Sequence, residues 1–372
     1  TKRLVMKIEN IESLLDEARK QKDEFENTVV KCGIIGLSGS GKSSLINAIA
    51  GEKIANVGST EQTMEEQSFF HDGIEFVDLP GCGTERWPQA TYISDLRLDS
   101  YDCFIIVTSN RLYESDIFLY QEMSVNRNKP CFVVRNKIDI AIEDESYDND
   151  LTEQETLVKV RDNISSSIPE LQLVYLTSAR HPTKWDFPTL LDHIAESQTG
   201  VKKDKFVAGM AVWSKQAIEQ KRRIAQKIVS WSSVTSAANG LNPIPGLDVS
   251  IDAGILVNMV KQINNIYGLS EQQLKYVEKT VPNLMDAPEY QGIKQGILKL
   301  IAKYAATEGI VLVLKRMGSK VVIKNVSKYL PFVGQLISAG IGYKMTASFG
   351  ETYIDEVEEK AQLLLDKLIA AA

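Results

Sequence analysis

The octapeptide Gly36-Leu37-Ser38-Gly39-Ser40-Gly41-Lys42-Ser43 decides the fold of this 372-residue chain. It follows the apolar run 32–35 and matches G-x-x-x-x-G-K-[ST], the pattern of a phosphate-binding loop. Glycines let consecutive backbone N–H groups curl around phosphates, while Lys42 reaches the terminal phosphates and Ser43 offers a hydroxyl to Mg²⁺. A helix is predicted over 44–50, and helix N-termini favour anions. The octapeptide therefore predicts a nucleotide-binding site.

Further short motifs follow in a fixed order, each directly after an apolar, strand-like run. Asp78-Leu79-Pro80-Gly81 places the Asp78 carboxylate at a strand end, where it can hold Mg²⁺ through water. In Asn136-Lys137-Ile138-Asp139 the carboxylate of Asp139 can accept both guanine N–H donors, whereas adenine presents the opposite pattern. Thr177-Ser178-Ala179 supplies a loop whose backbone meets the guanine oxygen. The order of these motifs predicts GTP and GDP as ligands.

The predicted nucleotide ligands all lie in these motifs. They are Gly36, Ser38, Gly39, Ser40, Gly41, Lys42, Ser43, Ser44, Gly81, Asn136, Lys137, Asp139, Ser178 and Ala179. Ser43 and Asp78 are the first two predicted Mg²⁺ ligands. A third is expected from a first switch between the phosphate loop and Asp78, and spacing leaves Ser59, Thr60 and Thr63 as candidates.

Cys82 follows Gly81, at a position where Ras-type GTPases carry the glutamine that orients the attacking water. The chain therefore lacks that device. Hydrolysis must be slow, or it must use a group from elsewhere in the chain, from a second copy or from the nucleotide itself.

Composition and patterning predict two domains, with 44% hydrophobic and 24% charged residues. Residues 31–200 alternate β-rich runs with helical patterns, which predicts an α/β P-loop domain with a parallel or mixed sheet flanked by helices. Residues 201–372 are predicted to form an all-α domain, on which an amphipathic helix within 1–30 packs. The predicted C-terminal helices cover 207–237, 249–267, 270–280, 290–306, 309–326 and 335–372, the last with a break around Gly350.

The charge pattern argues against a nucleic-acid partner, because net charge is −7 and no Lys/Arg run is dense enough for a nucleic-acid arm. The four cysteines show no metal-ligand spacing and are interpreted as buried thiols in a reducing cytosol. Neither a signal peptide nor a membrane-spanning segment is predicted. A cytoplasmic location is expected, with peripheral membrane contact as a candidate.

Several segments outside the general motifs make the chain resemble the immunity-related, interferon-inducible GTPases, as a bacterial or other non-vertebrate relative. The resemblance covers nearly the whole chain. It rests on Gly58 to Met64, Asp78 to Thr84 with Pro88 and Thr91-Tyr92, Trp185 to Pro188 with Leu190, and Pro243 to Gly246 with Asp248. The chain departs from vertebrate members at Asn136, where they often have threonine, and at Trp185, where they often have tyrosine.

The resemblance implies a mechanism of the dynamin type, in which two copies associate through their nucleotide-binding faces and activate each other. It selects Thr63 as the Mg²⁺-contacting threonine and matches Glu61 to a first-switch glutamate that aids catalysis across the dimer. Lys42 is the lysine of the effector branch, since a regulatory branch carries methionine there. The resemblance therefore implies catalytic roles for Lys42, Glu61 and Thr63.

The sequence thus predicts a Mg²⁺-dependent GTP hydrolase that forms a homodimer or oligomer in its GTP state, with membrane lipid as a candidate partner. The main alternative is a nucleotide-dependent switch with negligible hydrolysis that recruits a partner, which the Cys82 position keeps open. A structural protein stabilised by nucleotide and a ribosome- or tRNA-linked GTPase are the other readings, and the acidic charge disfavours the last.

Overall fold

The computed structural model describes residues 2–56, 66–241, 248–281, 284–305, 309–310 and 331–371. The chain divides into two compact units. The first, here called the helical unit, comprises Thr1–Asn27, Ile218–Glu271 and Met285–Asp366. The second, here called the α/β unit, comprises Thr28–Ala217, Gln272–Leu284 and Lys367–Ala372.

A six-stranded sheet forms the centre of the α/β unit. Its strands are β1 (Val30–Ile35), β2 (Gln67–His71), β3 (Ile74–Asp78), β4 (Cys103–Thr108), β5 (Cys131–Arg135) and β6 (Val174–Leu176). The spatial order is β2-β3-β1-β4-β5-β6, and every pairing is parallel except that of the edge strand β2 with β3. The predicted α/β class with a mixed sheet is confirmed.

The central strands read as continuous apolar runs because helices cover both faces of a sheet of this kind. All six residues of β4 are buried, and β1 is buried except for the half-buried Lys31. Large side chains such as Phe104, Tyr101 and Tyr92 fill the core beside them. The parallel pairings bring the carboxyl ends of β1, β3, β5 and β6 to one edge of the sheet, where the four predicted motifs begin.

In the α/β unit, helices follow β1, β3, β4, β5 and β6 in the chain. They are α2 (Lys42–Ala50), α3 (Tyr92–Asp95), α4 (Glu114–Tyr120), α5 (Ile138–Asn149), α6 (Glu153–Ser165), α7 (Phe187–Ser197) and α8 (Gly200–Gly209). A π-helical stretch, Gln121–Asn126, continues α4, and a 3₁₀ turn covers Leu98–Ser100. α6 begins with a capping box in which Thr152 accepts the Glu155 N–H and Glu155 accepts the Thr152 N–H, so the sequence fixes this helix start locally.

Long helices make up the helical unit. They are α1 (Lys2–Asn27), α9 (Lys215–Leu241, within this unit from Ile218), α10 (Asp248–Ile266), α12 (Pro288–Ala305) and α13 (Pro331–Ala371, within this unit as far as Asp366). The short α11 (Glu271–Thr280) and the 3₁₀ turn Leu284–Asp286 lie between α10 and α12 in the chain. Among the described residues, every helix is too short or too polar to cross a bilayer.

Two predicted helix boundaries are wrong. The helix expected over 207–237 is two helices, because the segment 210–214 between α8 and α9 leaves the helical path. The break expected around Gly350 is absent, and α13 continues through it. A Cβ at Gly350 would lie 2.5 Å from the Val229 side chain of α9, so this glycine permits close helix packing and does not end the helix.

Candidate nucleotide site

The phosphate loop is a tight turn between β1 and α2 that only glycine can build at its two ends. Gly36 has φ +149°, and a Cβ there would meet the Val107 carbonyl oxygen at 2.1 Å. Gly41 has φ +91°, in the left-handed region that favours glycine. The Ser40 N–H donates to the Leu37 carbonyl at 3.2 Å and closes the turn. The predicted loop residues therefore stand together at the N-terminus of α2, where the helix dipole favours anions.

Lys42 lies at the centre of the phosphate end of the site, which is formed by the phosphate loop and Asp78. Its Nζ donates to the Gly36 carbonyl at 2.7 Å and lies 3.6 Å from the Asp78 carboxylate. Both side chains are at least nine-tenths buried. The Gly36 carbonyl and the carboxylate at the end of β3 thus hold the Lys42 ammonium group in the phosphate loop.

Asn136 connects the predicted base-binding loops, which follow β5 and β6, to the phosphate loop through hydrogen bonds. Its amide is 1% exposed, donates to the Ser40 carbonyl at 3.2 Å and accepts the Ala179 N–H at 3.3 Å. Lys137 adds a second connection, since its Nζ donates to the Gly39 carbonyl at 2.6 Å. The structure therefore brings the Asn136-Lys137 motif, Ala179 and the phosphate loop into one site.

Asp139 lies in the first turn of α5, which starts after the left-handed Lys137 at φ +59°. The Ile138 N–H donates to the Thr177 carbonyl at 3.0 Å and sets the loops of β5 and β6 side by side. Within the described part of the chain, the buried Oδ1 of Asp139 receives no hydrogen bond. A buried acceptor without a donor is costly, so this oxygen is available for an N–H group from a ligand.

The residues at the loop fit a hard divalent cation. The Ser43 hydroxyl at the start of α2 and the Asp78 carboxylate at the end of β3 are oxygen donors, which Mg²⁺ prefers. The third predicted ligand, Thr63, lies outside the described residues, as do Glu61 and the alternatives Ser59 and Thr60.

The segment after Asp78 is anchored by Tyr92, a residue that motif reasoning did not assign to the site. Its buried hydroxyl donates to the Pro80 carbonyl at 2.5 Å, and burial raises the pKa of Tyr92 well above its usual value, so it remains a donor. Gly81 is exposed. Burial also raises the pKa of the half-buried Cys82 thiol to about 11, with a smaller contribution from the buried carboxylate of Asp116. Cys82 is therefore a neutral thiol at physiological pH.

Three features define a P-loop protein of the guanine-nucleotide-binding class. They are a phosphate loop that carries a lysine, a carboxylate at the end of β3, and an Asn136–Asp139 loop in which one Asp139 carboxylate oxygen can accept a hydrogen bond from a ligand. A family model described as interferon-inducible GTPase matches residues 2–367, so the chain belongs to the interferon-inducible GTPase family. The predicted family and the predicted GTPase class are confirmed.

Individual relatives are distant. Interferon-inducible GTPase 1 of Mus musculus is 28% identical over 268 residues, which cover 68% of this chain and 64% of that protein. Interferon-inducible GTPase 5 of Rattus norvegicus is 24% identical over 353 residues, which cover 91% and 75% respectively. The solved structure of a point variant of Aquifex aeolicus Era bound to GDP·AlF4⁻ matches with a TM-score of 0.34 and 20% identity, over 56% of this chain and 68% of that one.

Proposed function

We propose that this chain binds GTP with Mg²⁺ and hydrolyses it to GDP, activated when two copies associate through their nucleotide-binding faces. The observation that carries the proposal is the Asp139 carboxylate, whose buried Oδ1 has no donor among the described residues. Guanine presents adjacent N–H donors that a carboxylate can accept. Adenine does not, so this oxygen favours a guanine nucleotide.

The phosphate end supports a hydrolase of the P-loop type. Lys42 is held in place by the Gly36 carbonyl, so its charge is positioned before any phosphate arrives. Ser43, Asp78 and Thr63 would hold Mg²⁺, which would supply positive charge to offset the negative charge that develops on the phosphate. The backbone N–H groups of residues 38–44 then fix the orientation of the phosphates.

The position of Cys82 supports activation from outside the site. A neutral thiol is a weak hydrogen-bonding group, so it cannot orient a water molecule as a glutamine amide does. A group from a second copy would supply this function, and the family resemblance assigns that part to Glu61. The same reasoning supports nucleotide-dependent association, because each site is then incomplete in a single copy.

We propose the domain division 1–30, 31–200 and 201–372 as the functional one, in which the helical region passes the nucleotide state to a second copy or to a membrane surface. The membrane part rests on family likeness, and it corresponds to a cytoplasmic protein in peripheral contact with lipid.

A second candidate function is a switch with negligible turnover that recruits a partner in its GTP form. Cys82 also favours this reading, because a GTPase without a water-orienting side chain keeps its GTP for long periods.

The test is GTP turnover per molecule over a wide range of protein concentration, for the wild type, Glu61→Ala and the control Glu143→Ala. Glu143 is an exposed residue of α5. Activation by association predicts a rate that rises with concentration in the wild type and the control and stays flat in Glu61→Ala. A slow rate that does not depend on concentration would favour the switch, and failure to bind GTP would exclude both functions.

A further inference from the structure

The C-terminal end of α2 is attached to the chain that leads into α9. The last carbonyls of a helix have no partner within the helix and must be satisfied from outside. Here the Trp213 indole Nε1–H donates to the Ala48 carbonyl at 2.7 Å, and the Ala211 N–H donates to the Ile49 carbonyl at 2.7 Å. Trp213 is 3% exposed, so both bonds are made away from solvent.

Gly51 allows this attachment to be close. It ends α2 with φ +67°, and a Cβ at this position would lie 2.7 Å from the Cβ of Ala211. Any larger residue at 51 would push the segment 210–213 away from the helix, so the contact depends on glycine both for its backbone conformation and for its size.

Asn47, about one turn before the end of α2, makes a second attachment. Its amide accepts the N–H groups of Ile54 at 2.9 Å and Ala55 at 2.7 Å, and it donates to the Ala55 carbonyl at 2.9 Å. The Asn47 side chain is 3% exposed, and all three hydrogen bonds are made with residues close to it in the sequence. Asn47 thus fixes the backbone that leads directly into the predicted first switch at 58–64.

The N-terminal end of the same helix carries Lys42 and its bond to the Gly36 carbonyl. α2 has nine residues, and its internal hydrogen bonds make it a short rigid rod. A displacement of α2 at one attachment would therefore also displace the other two, because closely packed interiors transmit strain.

We propose that Asn47 and Trp213 are positioning residues that couple the entrance of the first switch to the segment preceding α9, through α2. α9 begins at Lys215, directly after this segment, and its residues from Ile218 belong to the helical unit. The coupling supplies a route by which the phosphate loop and the first switch act on the chain that enters the helical unit. Only its consequence for hydrolysis rests on the proposed function.

The first experiment measures site-resolved hydrogen exchange by NMR in the full chain with GDP, for the wild type, Trp213→Phe and the control Trp185→Phe. The Trp185 indole donates to Glu153 at 2.8 Å, on α6 and away from the attachments of α2. Trp213→Phe keeps the aromatic ring and removes one hydrogen bond, so exchange at the Ile54 and Ala55 amides should quicken by about fivefold to tenfold. Amides of β4 and those in the control should be unchanged.

Coupling between two sites is reciprocal, so the converse variant must show the same effect. Asn47→Ala should quicken exchange of the Trp213 indole N–H by a similar factor, and Asn47→Asp, which keeps the acceptor for Ile54 and Ala55 but loses the donor to the Ala55 carbonyl, should restore part of the protection. Unchanged exchange at Ile54 and Ala55 in Trp213→Phe would overturn the proposal. Equal acceleration of the β4 amides would overturn it too, because both contacts would then contribute only to global stability.

Kinetics provide the second readout. If the first switch is misplaced, Asn47→Ala should lower kcat about tenfold and change KM less than about twofold, and Asn47→Asp, which keeps the acceptor but not the donor, should recover part of kcat. A rise in KM with kcat unchanged would contradict a positioning role in turnover. Hydrogen exchange is measured with GDP and needs no turnover. The coupling can therefore be confirmed even if the protein does not hydrolyse GTP.

Discussion

The two ends of the nucleotide site, one for the phosphates and one for the base, use different kinds of chemical group. The phosphate end consists mainly of backbone groups and the Lys42 ammonium group, which is held between the Gly36 carbonyl and Asp78. The base end consists of buried side chains with directional bonds, chiefly Asn136 and the open carboxylate oxygen of Asp139. Charge and backbone N–H groups attract any nucleoside triphosphate, whereas directional acceptors select one base. Affinity and specificity are therefore expected to respond to different substitutions.

The two ends are nevertheless joined. A Cβ at Gly41 would lie 2.4 Å from the Asn136 amide nitrogen, and that amide donates to the Ser40 carbonyl at 3.2 Å. Asn136 is thus a member of the base end that also supports the phosphate loop. Substitutions there should affect affinity and specificity together.

The largest effect is expected for Lys42→Ala at the phosphate end. Loss of the side-chain charge that reaches the terminal phosphates should weaken GTP binding by about 100-fold, near the upper range for a charged hydrogen bond. Titration calorimetry with GTP, GDP and ATP measures this, and all three should weaken. The exposed Lys203→Ala is the matched control. Wild-type affinity in Lys42→Ala would remove the phosphate end from the site.

A smaller but selective effect is expected for Asp139→Asn at the base end. The amide presents a donor where guanine requires an acceptor, so GTP affinity should fall about 30-fold. Xanthosine triphosphate, which has a carbonyl acceptor in place of the guanine amino group, should gain affinity. Competition binding with GTP and xanthosine triphosphate gives the ratio directly. If both nucleotides lost affinity equally, Asp139 would contribute only general stability and the division between the two ends would fail.

Sequence reasoning predicted the parts of the site that depend on local chemistry. The glycines of the phosphate loop, Lys42, Asp78 and the Asn136–Asp139 motif each carry their own signal, because a tight turn and a charged ligand restrict the residue types allowed. An α/β sheet, either parallel or mixed, followed from apolar runs alternating with helical patterns. The structure places these loops along one edge of the sheet.

Features that depend on distant contacts were missed. Nothing near Gly350 indicates that Val229, far earlier in the sequence, packs against it, so a helix break was the natural local prediction. The segment 210–214 leaves the helical path where Trp213 and Ala211 bond to α2, a contact made with residues far away in the sequence. The anchoring of Pro80 by Tyr92 is of the same kind. Tertiary contacts override local propensity in each case.

An intermediate effect is expected for Asn136→Ala, which cuts the connection between the two ends. The buried Ala179 N–H and Ser40 carbonyl both lose a partner, so GTP affinity should fall about tenfold. The ratio of GTP affinity to ATP affinity should also fall, and the same calorimetry measures it. Asn110→Ala, an exposed asparagine after β4, serves as the control. A loss of affinity with the base preference intact would mean that Asn136 supports only the phosphate loop.

The smallest effect is expected for Cys82→Ser, next to the phosphate end. Burial holds the pKa of this thiol at about 11, so it is protonated at neutral pH and has no charge to contribute to turnover. Because burial disfavours the thiolate, the fold loses stability as pH rises from the thiol's unfolded-state pKa towards 11, and this group causes no pH dependence of stability below that range. GTP turnover should therefore change less than about twofold in Cys82→Ser and show no inflection from this group between about pH 6 and 8. A large loss of turnover, or an inflection in that range that disappears in the variant, would place the thiol in the chemistry. Hydrolysis would then not require a group from a second copy, and the phosphate end would be complete on its own.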